Sequence, residues 1–561
     1  MYYKLIFIYL SMRKRSKRHS KVTFKPYSPN QLSLLPPSLD ELIATNHPVR
    51  VVNRIVSQLD LSLLHATYKG GGSSSYHPEM LLKVLIYAYL KNIYSSRKIE
   101  EALQENIHFM WLSGMSTPDH STIADFRSNR LKGLIKGIFT SVVLLLADEG
   151  LVNIKDLYTD GTKLEASANR YTFVWAKAIK TNRERIKKQL ASFWEYLETV
   201  YQEEKDQLPQ KPDFTEVSAE KIEQTAQQIN ELLEKKKEVK EINEKIHRQV
   251  QYAEKTWGNK WREYDKKEEI LAGRNSYSKT DQDATFMRTK EDHMKNGQLK
   301  PCYNLQFSTS DKVVVTYTTG QTTSDTILYQ AHLEDYQEQY GCYPDSDTAD
   351  AGYGSEENYE FLEEKEIEAF VKFGYFHKEQ KKKFRHDLSK KENLHYNGKE
   401  DHYICPMGQK MEKIGEQRRK TKTGFEQTFS LYQARNCEGC PLRGACHKAK
   451  GNGIIQVNRN LERHKQKARE LLTSEEGIKK RGQRCVDVEG TFGQLKQNKG
   501  FRRFLLRGLE KIDVELGLLC IGMNIARKKE GLAAALGLVC PDASKNAPKT
   551  TKNGNLEQQR A

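Results

Sequence analysis

The stretch Val152-Asn-Ile-Lys-Asp-Leu-Tyr-Thr-Asp-Gly-Thr-Lys163 decides the fold of this chain. Its β-branched and aromatic residues predict a strand, and the Asp-Gly pair predicts a turn that presents Asp160. The segments before it have helical patterns, whereas the segments after it alternate between strand and helix patterns. An isolated Asp-Gly pair is most often an ordinary turn, so Asp160 gains significance only together with other residues.

Two later segments also present a carboxylate. Asp350 lies in Ser-Asp-Thr-Ala-Asp-Ala-Gly-Tyr-Gly, and Glu489 lies in Val-Asp-Val-Glu-Gly-Thr-Phe-Gly. Three carboxylates from distant parts of a basic chain predict a divalent-metal site that acts on a phosphate backbone, because hard oxygen ligands hold Mg²⁺ and leave positions for phosphate oxygens. Taken singly, these residues also fit a turn and a helix surface, and Asp345 or Asp347 is an alternative to Asp350.

Composition narrows the class of protein. A chain of 561 residues favours three or more modules, and its hydrophobic content of 37% includes no apolar run of the ~18 residues that a membrane-spanning helix needs. The first residues lack a signal-peptide cleavage site, and nine cysteines favour reduced thiols or metal ligands, so we expect a cytoplasmic protein. The net charge of +17 favours a polyanionic partner, although it also fits a Lys-rich soluble protein.

The N-terminal part is predicted to be a basic arm, a Gly-Ser linker and a helical block. A buried helix begins at Pro78, and shorter helices follow it. Thr117-Pro-Asp-His-Ser121 then introduces a long helix with one apolar stripe. With Arg127 and Arg130 near the start of that helix, the pattern fits a DNA-binding helix-turn-helix and, equally, a plain helical bundle.

The middle of the chain predicts an α/β core with a helical insertion. Two amphipathic helices joined by a Pro-containing loop predict an antiparallel hairpin within residues 177–270. A strand hairpin follows from Cys302 to Thr318, and then the order helix, strand, helix, strand favours a mixed sheet with flanking helices. We expect the strand of Asp160 and the strand before Asp350 to be neighbours, since ligands collect at the carboxyl ends of adjacent strands.

Four cysteines form a second set of candidate ligands. Cys405 begins a Cys-Pro-Met-Gly turn, and Cys437, Cys440 and Cys446 follow in one short segment. Four thiolates are a ligand set that structural Zn²⁺ prefers, with His447 as a replacement for one of them. The wide spacing between Cys440 and Cys446 leaves reduced structural cysteines as the alternative.

Three segments resemble the catalytic blocks of bacterial insertion-sequence transposases of the Asp-Asp-Glu type. These are Asp160-Gly-Thr-Lys-Leu-Glu-Ala166, Ala349-Asp-Ala-Gly-Tyr-Gly-Ser-Glu-Glu-Asn358 and Val488-Glu-Gly-Thr-Phe-Gly-Gln-Leu-Lys-Gln-Asn-Lys499. Residues 283–298 and 77–131 are also similar to that family. Because several similar blocks occur in the same order as in the family, the resemblance is not explained by chance.

The resemblance implies a ribonuclease-H-like core, two Mg²⁺ or Mn²⁺ ions, and DNA cleavage followed by strand transfer. It makes Asp160, Asp350 and Glu489 the ligands of these ions. The implied partners are the terminal inverted repeats of a transposable element and target DNA, with a homodimer pairing two DNA ends on the bacterial nucleoid. A catalytically inactive DNA-binding protein derived from a transposase, and a metal-dependent nuclease that cuts without joining, are the alternatives.

The family also has a Lys and an Arg on the helix of its catalytic Glu. Lys496 matches the Lys, and a separation of seven residues places it on the same helix face as Glu489, as a catalytic phosphate-binding cation. The Arg is expected four residues before the Glu, where this chain has Cys485. Arg484 lies one position away, which leaves its role open.

Basic residues near these segments are the predicted DNA contacts. Cations and aromatic residues mix from Phe501 to Arg507, as in a groove for a DNA end. The alternative is a buried apolar side with solvated arginines. The predicted DNA-contacting residues are Arg127, Arg130, Arg484, Lys499, Arg502, Arg503 and Arg507.

The predicted fold class is an α/β catalytic core combined with an all-α N-terminal domain, an inserted helical hairpin and a Cys-rich insert. The predicted segments are a basic arm and linker (1–75), a helical DNA-binding-type domain (76–150), the first part of the catalytic domain (151–376) with its hairpin (177–270), a zinc-binding insert (377–460), catalytic C-terminal helices (461–530) and a disordered tail (531–561).

Overall fold

A computed structural model describes residues 38–68, 75–202, 204, 208–238, 242–289, 297–387 and 390–536. The chain divides into two compact units, residues 1–44 and 45–561. In the first unit, the described residues 38–44 contain turns. The predicted basic arm, most of the predicted Gly-Ser linker and nearly all of the predicted disordered tail lie outside the described residues.

The N-terminal part of the second unit is helical, as predicted from Pro78 onward, and two further helices lie within the segment predicted to be an arm and linker (1–75). Two of its helices begin at a proline, whose missing N–H group would have no partner in the first turn anyway. The helices are α1 (Pro48–Gln58), α2 (Ser62–Ala66), α3 (Pro78–Leu90), α4 (Ser96–Glu105), α5 (Ile107–Ser113), α6 (His120–Asp125) and α7 (Ile135–Asp148).

The prediction of a single long helix after Thr117 is wrong. Helix α6 runs into a π turn at Phe126–Arg130, and α7 begins only after a further turn. Gly133 in that turn has a φ of 74°, a left-handed conformation that glycine adopts without steric strain. The apolar stripe continues on both sides of the break, which is why the pattern did not reveal it.

The middle of the chain contains eight strands among its described residues. They are β1 (Asp156–Glu165), β2 (Phe173–Trp175), β3 (Ser276–Ser278), β4 (Thr285–Arg288), β5 (Leu299–Ser310), β6 (Val313–Gly320), β7 (Ser346–Thr348) and β8 (Glu368–Ala369). Strands β2 and β3 form a two-stranded ribbon. The others form a mixed sheet in the order β4-β5-β1-β7-β8, with β6 also paired to β5.

Strand β1 is central to this sheet. It is antiparallel to β5 and parallel to β7, and β7 is parallel to β8. The predicted neighbourhood of the Asp160 strand and the strand before Asp350 is therefore confirmed. The predicted β5–β6 hairpin is confirmed as well, and its turn residues Asp311 and Lys312 have φ values of 50° and 67°.

Helices flank the sheet, as predicted. Helix α11 (Asp325–Tyr340) follows β6, and α12 (Glu356–Glu364) follows β7. The Ser355 side chain accepts a hydrogen bond from the Asn358 N–H and so caps α12.

The insertion after β2 has three helices rather than the predicted two. They are α8 (Ala176–Val200), α9 (Ala219–Lys236) and α10 (Glu244–Leu271). The predicted second helix divides because Asn243 starts a new one, its side chain accepting from the Lys245 and Ile246 N–H groups. The three helices share their own buried apolar core.

Residues beyond the first sheet form an antiparallel second sheet. Its strands are β9 (His395–Asn397), β10 (His402–Ile404), β11 (Lys410–Lys420), β12 (Glu426–Ala434) and β13 (Ile454–Val457), ordered β13-β12-β11-β10-β9. Short helices accompany it: α13 (Phe376–Glu379), α14 (Lys382–Arg385) and α15 (Arg443–Cys446).

The C-terminal helices are more interrupted than predicted. They are α16 (Arg459–Thr473), α17 (Glu475–Arg484), α18 (Gly490–Gly493) and α19 (Leu509–Ala535), with π turns at Cys485–Glu489 and Gln494–Asn498. Ser474 separates α16 from α17 by capping α17 through the Gly477 N–H.

Helix α19 joins the N-terminal helices to the mixed sheet. A Cβ added at Gly517 would come within 2.6 Å of both Ile135 in α7 and the Tyr317 hydroxyl in β6, and one added at Gly522 within 3.0 Å of the Leu90 nitrogen. The two glycines thus allow close packing. In the described residues no helix is long and apolar enough to cross a membrane.

Candidate active site

The register of β1 and β7 aligns the segments that lead to Asp160 and Asp350. The two strands pair Asp156 with Ser346 and Tyr158 with Thr348. The pairing ends there, and the same offset continued by two residues along each chain would align Asp160 with Asp350. Each carboxylate is fixed locally: Asp160 Oδ1 accepts from the Gly161 N–H at 2.8 Å, and Asp350 Oδ1 from the Gly352 N–H at 2.7 Å.

The two alternatives to Asp350 have other surroundings. Asp347 belongs to the opposite face of the sheet, where it is buried and accepts hydrogen bonds from Thr159 and Tyr329. Burial raises the pKa of Asp347 to about 6. Asp345 is exposed and lies 3.7 Å from the Lys155 ammonium. Neither residue is aligned with Asp160 by the register of β1 and β7.

Glu489 reaches this face of the sheet from the C-terminal helices. The Phe492 ring lies 5.3 Å from that of Phe307, which is the β5 partner of Asp160. The Arg484 guanidinium then connects the two carboxylates, with Nη1 3.2 Å from Asp160 Oδ2 and Nη2 donating to Glu489 Oε1 at 3.0 Å. Residues more than 300 positions apart therefore meet around one buried cation.

A π turn brings Arg484 and Glu489 to the same side of their helix. Regular α-helices align residues three or four apart, so Arg484 and Glu489, five apart, would diverge. The π turn at Cys485–Glu489 adds one residue to that turn, and the two side chains bond to each other. Arg484 is thus held beside Glu489, while Cys485 is exposed.

Lys496 also faces β1. Its ammonium donates to the Lys163 carbonyl at 3.2 Å, three residues beyond Asp160 in the same strand. Lys496 therefore contacts the same strand that carries Asp160.

A polar network on the other face of β1 supports the site and was missed in the sequence. Gln306 is the β5 partner of Gly161, and its amide donates to Asp325 Oδ1 at 3.1 Å. The hydroxyl of Tyr353, which follows Asp350 closely, donates to the Gln306 carbonyl oxygen. Polar residues alternating along β5, Asn304, Gln306 and Ser308, were the available signal.

Two predicted DNA contacts lie inside the protein. Arg127 is 4% exposed and donates to the Tyr94 carbonyl at 2.7 Å. Lys499 is 7% exposed and donates to the carbonyls of Tyr89 and Leu90, and burial lowers its pKa to about 8. Both side chains stabilise the packing of helices through these hydrogen bonds, so neither is positioned to contact DNA. Arg130 is half-buried and lies 4.7 Å from the Tyr68 ring.

In the segment after the second π turn, the phenylalanines are buried and the arginines are exposed. Phe501 and Phe504 are buried, so they are not positioned to stack on bases. Arg502, Arg503 and Arg507 are exposed. Arg503 and Arg507 donate to carbonyls in the loop after β1, which fixes cations beside the strand that carries Asp160.

The four cysteines of the second sheet line one cavity with His447. Burial raises the pKa of Cys446, and nearby Cys437, Cys405 and Cys440 add to that effect. The Gln409 N–H donates to Cys405 Sγ at 3.4 Å, and the Gly453 N–H to Cys437 Sγ at 3.3 Å. Both ring nitrogens of His447 are buried without a hydrogen-bond partner in the described structure.

Three carboxylates are a suitable donor set for Mg²⁺ or Mn²⁺, both of which prefer oxygen ligands. The Arg484 guanidinium shows that Asp160 and Glu489 already accommodate positive charge between them. Among the described residues, no group of three His, Cys, Asp or Glu side chains is already arranged as a metal site.

Comparison with known families gives two matches. The family described as "Transposase DDE domain" matches residues 404–528, and "Transposase domain (DUF772)" matches residues 37–129. The first match includes Glu489 and Lys496, whereas Asp160 and Asp350 lie between the two matched segments. No curated protein and no solved structure matches the chain.

Proposed function

We propose that this chain, which belongs to the insertion-sequence transposases of the Asp-Asp-Glu type, cleaves DNA at the ends of its element and joins the freed 3′ ends to target DNA. The observation that carries the proposal is the meeting of Asp160 and Glu489 at Arg484, beside the position where the β1–β7 register brings Asp350. The mixed sheet, with antiparallel strands on one side of β1 and parallel strands on the other, supports a ribonuclease-H-like core.

Asp160, Asp350 and Glu489 would hold two Mg²⁺ or Mn²⁺ ions. Such ions activate an attacking hydroxyl and stabilise the leaving oxygen of an in-line displacement. Lys496 is placed to neutralise a phosphate next to Asp160. The hydrogen bonds from Gly161 and Gly352 orient the aspartates.

Strand transfer distinguishes this function from that of a nuclease. A DNA duplex that ends with a precut 3′-hydroxyl of the element is incubated with the protein, Mg²⁺ and a circular target. Joined products are expected, and a nuclease would give cleaved DNA without joining. Binding of element ends with neither reaction, by folded protein at several ion concentrations, would instead indicate a DNA-binding remnant. Two joined ends per synaptic complex would support the proposed homodimer.

The exposed arginines after the second π turn are proposed to bind DNA phosphates. Replacing both Arg502 and Arg507 with Ala should weaken DNA binding and lower the dependence of log affinity on log salt by about one unit per lost contact. Titrations at several salt concentrations measure both effects. Arg248→Ala is the matched control, since Arg248 is exposed on α10 and forms a local ion pair with Glu244. Equal salt slopes in all three proteins would contradict the assignment.

We also propose that the cavity of four cysteines binds one structural Zn²⁺. The N–H groups directed at two of the sulfurs favour thiolates, and the unpartnered His447 ring supplies a further donor. We expect about one zinc per chain by mass spectrometry of the metal content, lost in Cys437→Ser together with a lower melting temperature. Cys342→Ser should retain zinc, since Cys342 is exposed and outside the cavity. Zinc-free protein after expression with zinc and without chelator would contradict the proposal.

A further inference from the structure

The cation between the catalytic carboxylates belongs to the protein itself. Arg484 is 5% exposed, and its two terminal nitrogens face Asp160 Oδ2 and Glu489 Oε1. Two carboxylates that share a small site repel each other, and a buried guanidinium offsets that repulsion. Arg484 therefore holds Asp160 and Glu489 in position.

The same carboxylates cannot serve Arg484 and a metal ion equally well. Asp160 Oδ1 is already engaged by the Gly161 N–H, so Arg484 occupies the other oxygen. A divalent cation placed among these carboxylates would also be repelled by the guanidinium. Metal and Arg484 consequently compete for the charge of Asp160 and Glu489.

The surroundings of Arg484 allow it to move. In the described structure its Nε atom is buried without a hydrogen-bond partner, and Nη1 forms the ion pair with Asp160 Oδ2 but no hydrogen bond, so the present position satisfies the side chain incompletely. Glu489 is half exposed and ends a π turn, a helix distortion often found at functional sites.

We propose that Arg484 is an internal counter-ion of the metal site, which releases at least one carboxylate when Mg²⁺ or Mn²⁺ binds and thereby sets the affinity of the site. The inference rests on the proposed assignment of Asp160, Asp350 and Glu489 as metal ligands. It makes Arg484 a positioning residue: the fraction of molecules in which Arg484 has moved limits the apparent metal affinity.

The test is calorimetric titration with Mn²⁺ in the absence of DNA, together with melting temperatures in EDTA. We expect Arg484→Met to bind Mn²⁺ about tenfold more tightly than the unmodified chain and to melt at a lower temperature without metal. Arg484→Lys, which keeps a cation but loses the fork that spans both carboxylates, should have an intermediate affinity. Arg481→Met is the matched control, because Arg481 lies on the same helix over the Phe376 ring.

If Asp160→Asn loses Mn²⁺ binding, the metal-ligand assignment is retained, and two results would then overturn the inference. The first is Mn²⁺ binding by Arg484→Met that is unchanged or weaker than that of the unmodified chain. The second is an equal gain in Mn²⁺ affinity in Arg481→Met. If Arg484→Met does not fold, Arg484→Lys decides in the same way, tighter binding than that of the unmodified chain supporting the counter-ion. Mn²⁺ binding that survives in Asp160→Asn would refute the metal-ligand assignment, and the inference with it.

Discussion

Asp160→Asn and Glu489→Gln should each reduce DNA cleavage on the order of 1000-fold or more, because each removes a charged ligand of the proposed catalytic ions. Both substitutions keep the size of the side chain, and both leave Arg484 one of its two carboxylate partners. Rates of cleavage with Mg²⁺ and with Mn²⁺ measure the effect, and melting temperatures establish that the variants are folded.

Asp345→Asn is the control for these variants. Asp345 lies just before β7, is exposed and forms a long ion pair with Lys155. Its replacement should leave cleavage within about twofold, since surface ion pairs contribute little. Loss of cleavage in Asp345→Asn, with normal activity in Asp350→Asn, would transfer the ligand role to Asp345.

Gly161→Ala should reduce cleavage about 100-fold and lower the melting temperature by several degrees. A Cβ at Gly161 would lie 2.7 Å from Gln306 Nε2 and 2.8 Å from Asp325 Oδ1. The network beneath β1 would have to shift, at a cost of about 1–3 kcal/mol, and a displacement of about 1 Å at Asp160 is enough for such a loss of rate. Thermal melts and cleavage rates measure the two effects.

Gly482→Ala separates this effect from a general consequence of replacing glycine. Gly482 lies within helix α17, and a Cβ there would meet no atom within 4 Å. Alanine should stabilise the helix by about 0.5–1 kcal/mol. Gly161→Ala protein with the melting temperature and cleavage rate of the unmodified chain would show that the contact beneath Asp160 is unimportant.

The parts of the fold that were predictable are those with local signals. Pro78 marked a helix start, and the run through Asp160 had the composition of a strand. The interruptions between helices were not predictable. The apolar stripe crosses Gly133 without interruption, and the division before Asn243 depends on a cap rather than on a change of period.

The candidate site shows the same limit. Asp160, Asp350 and Glu489 could be selected because their segments resemble known blocks, but Arg484 could not be assigned from spacing alone. Its place depends on a π turn, which has no pattern in the sequence. Burial of Arg127 and Lys499 likewise depends on tertiary packing, since a basic residue is expected at a surface unless its partners are known.

The most direct test of the account is a map of the 3′ ends that the purified protein makes in a supercoiled plasmid carrying the DNA that flanks its own gene. With Mg²⁺ or Mn²⁺, the account predicts cuts at the boundaries of the terminal repeats, absent in Asp160→Asn. Cuts at the same boundaries by Asp160→Asn, or cuts by the unmodified chain scattered without relation to the repeats, would contradict it.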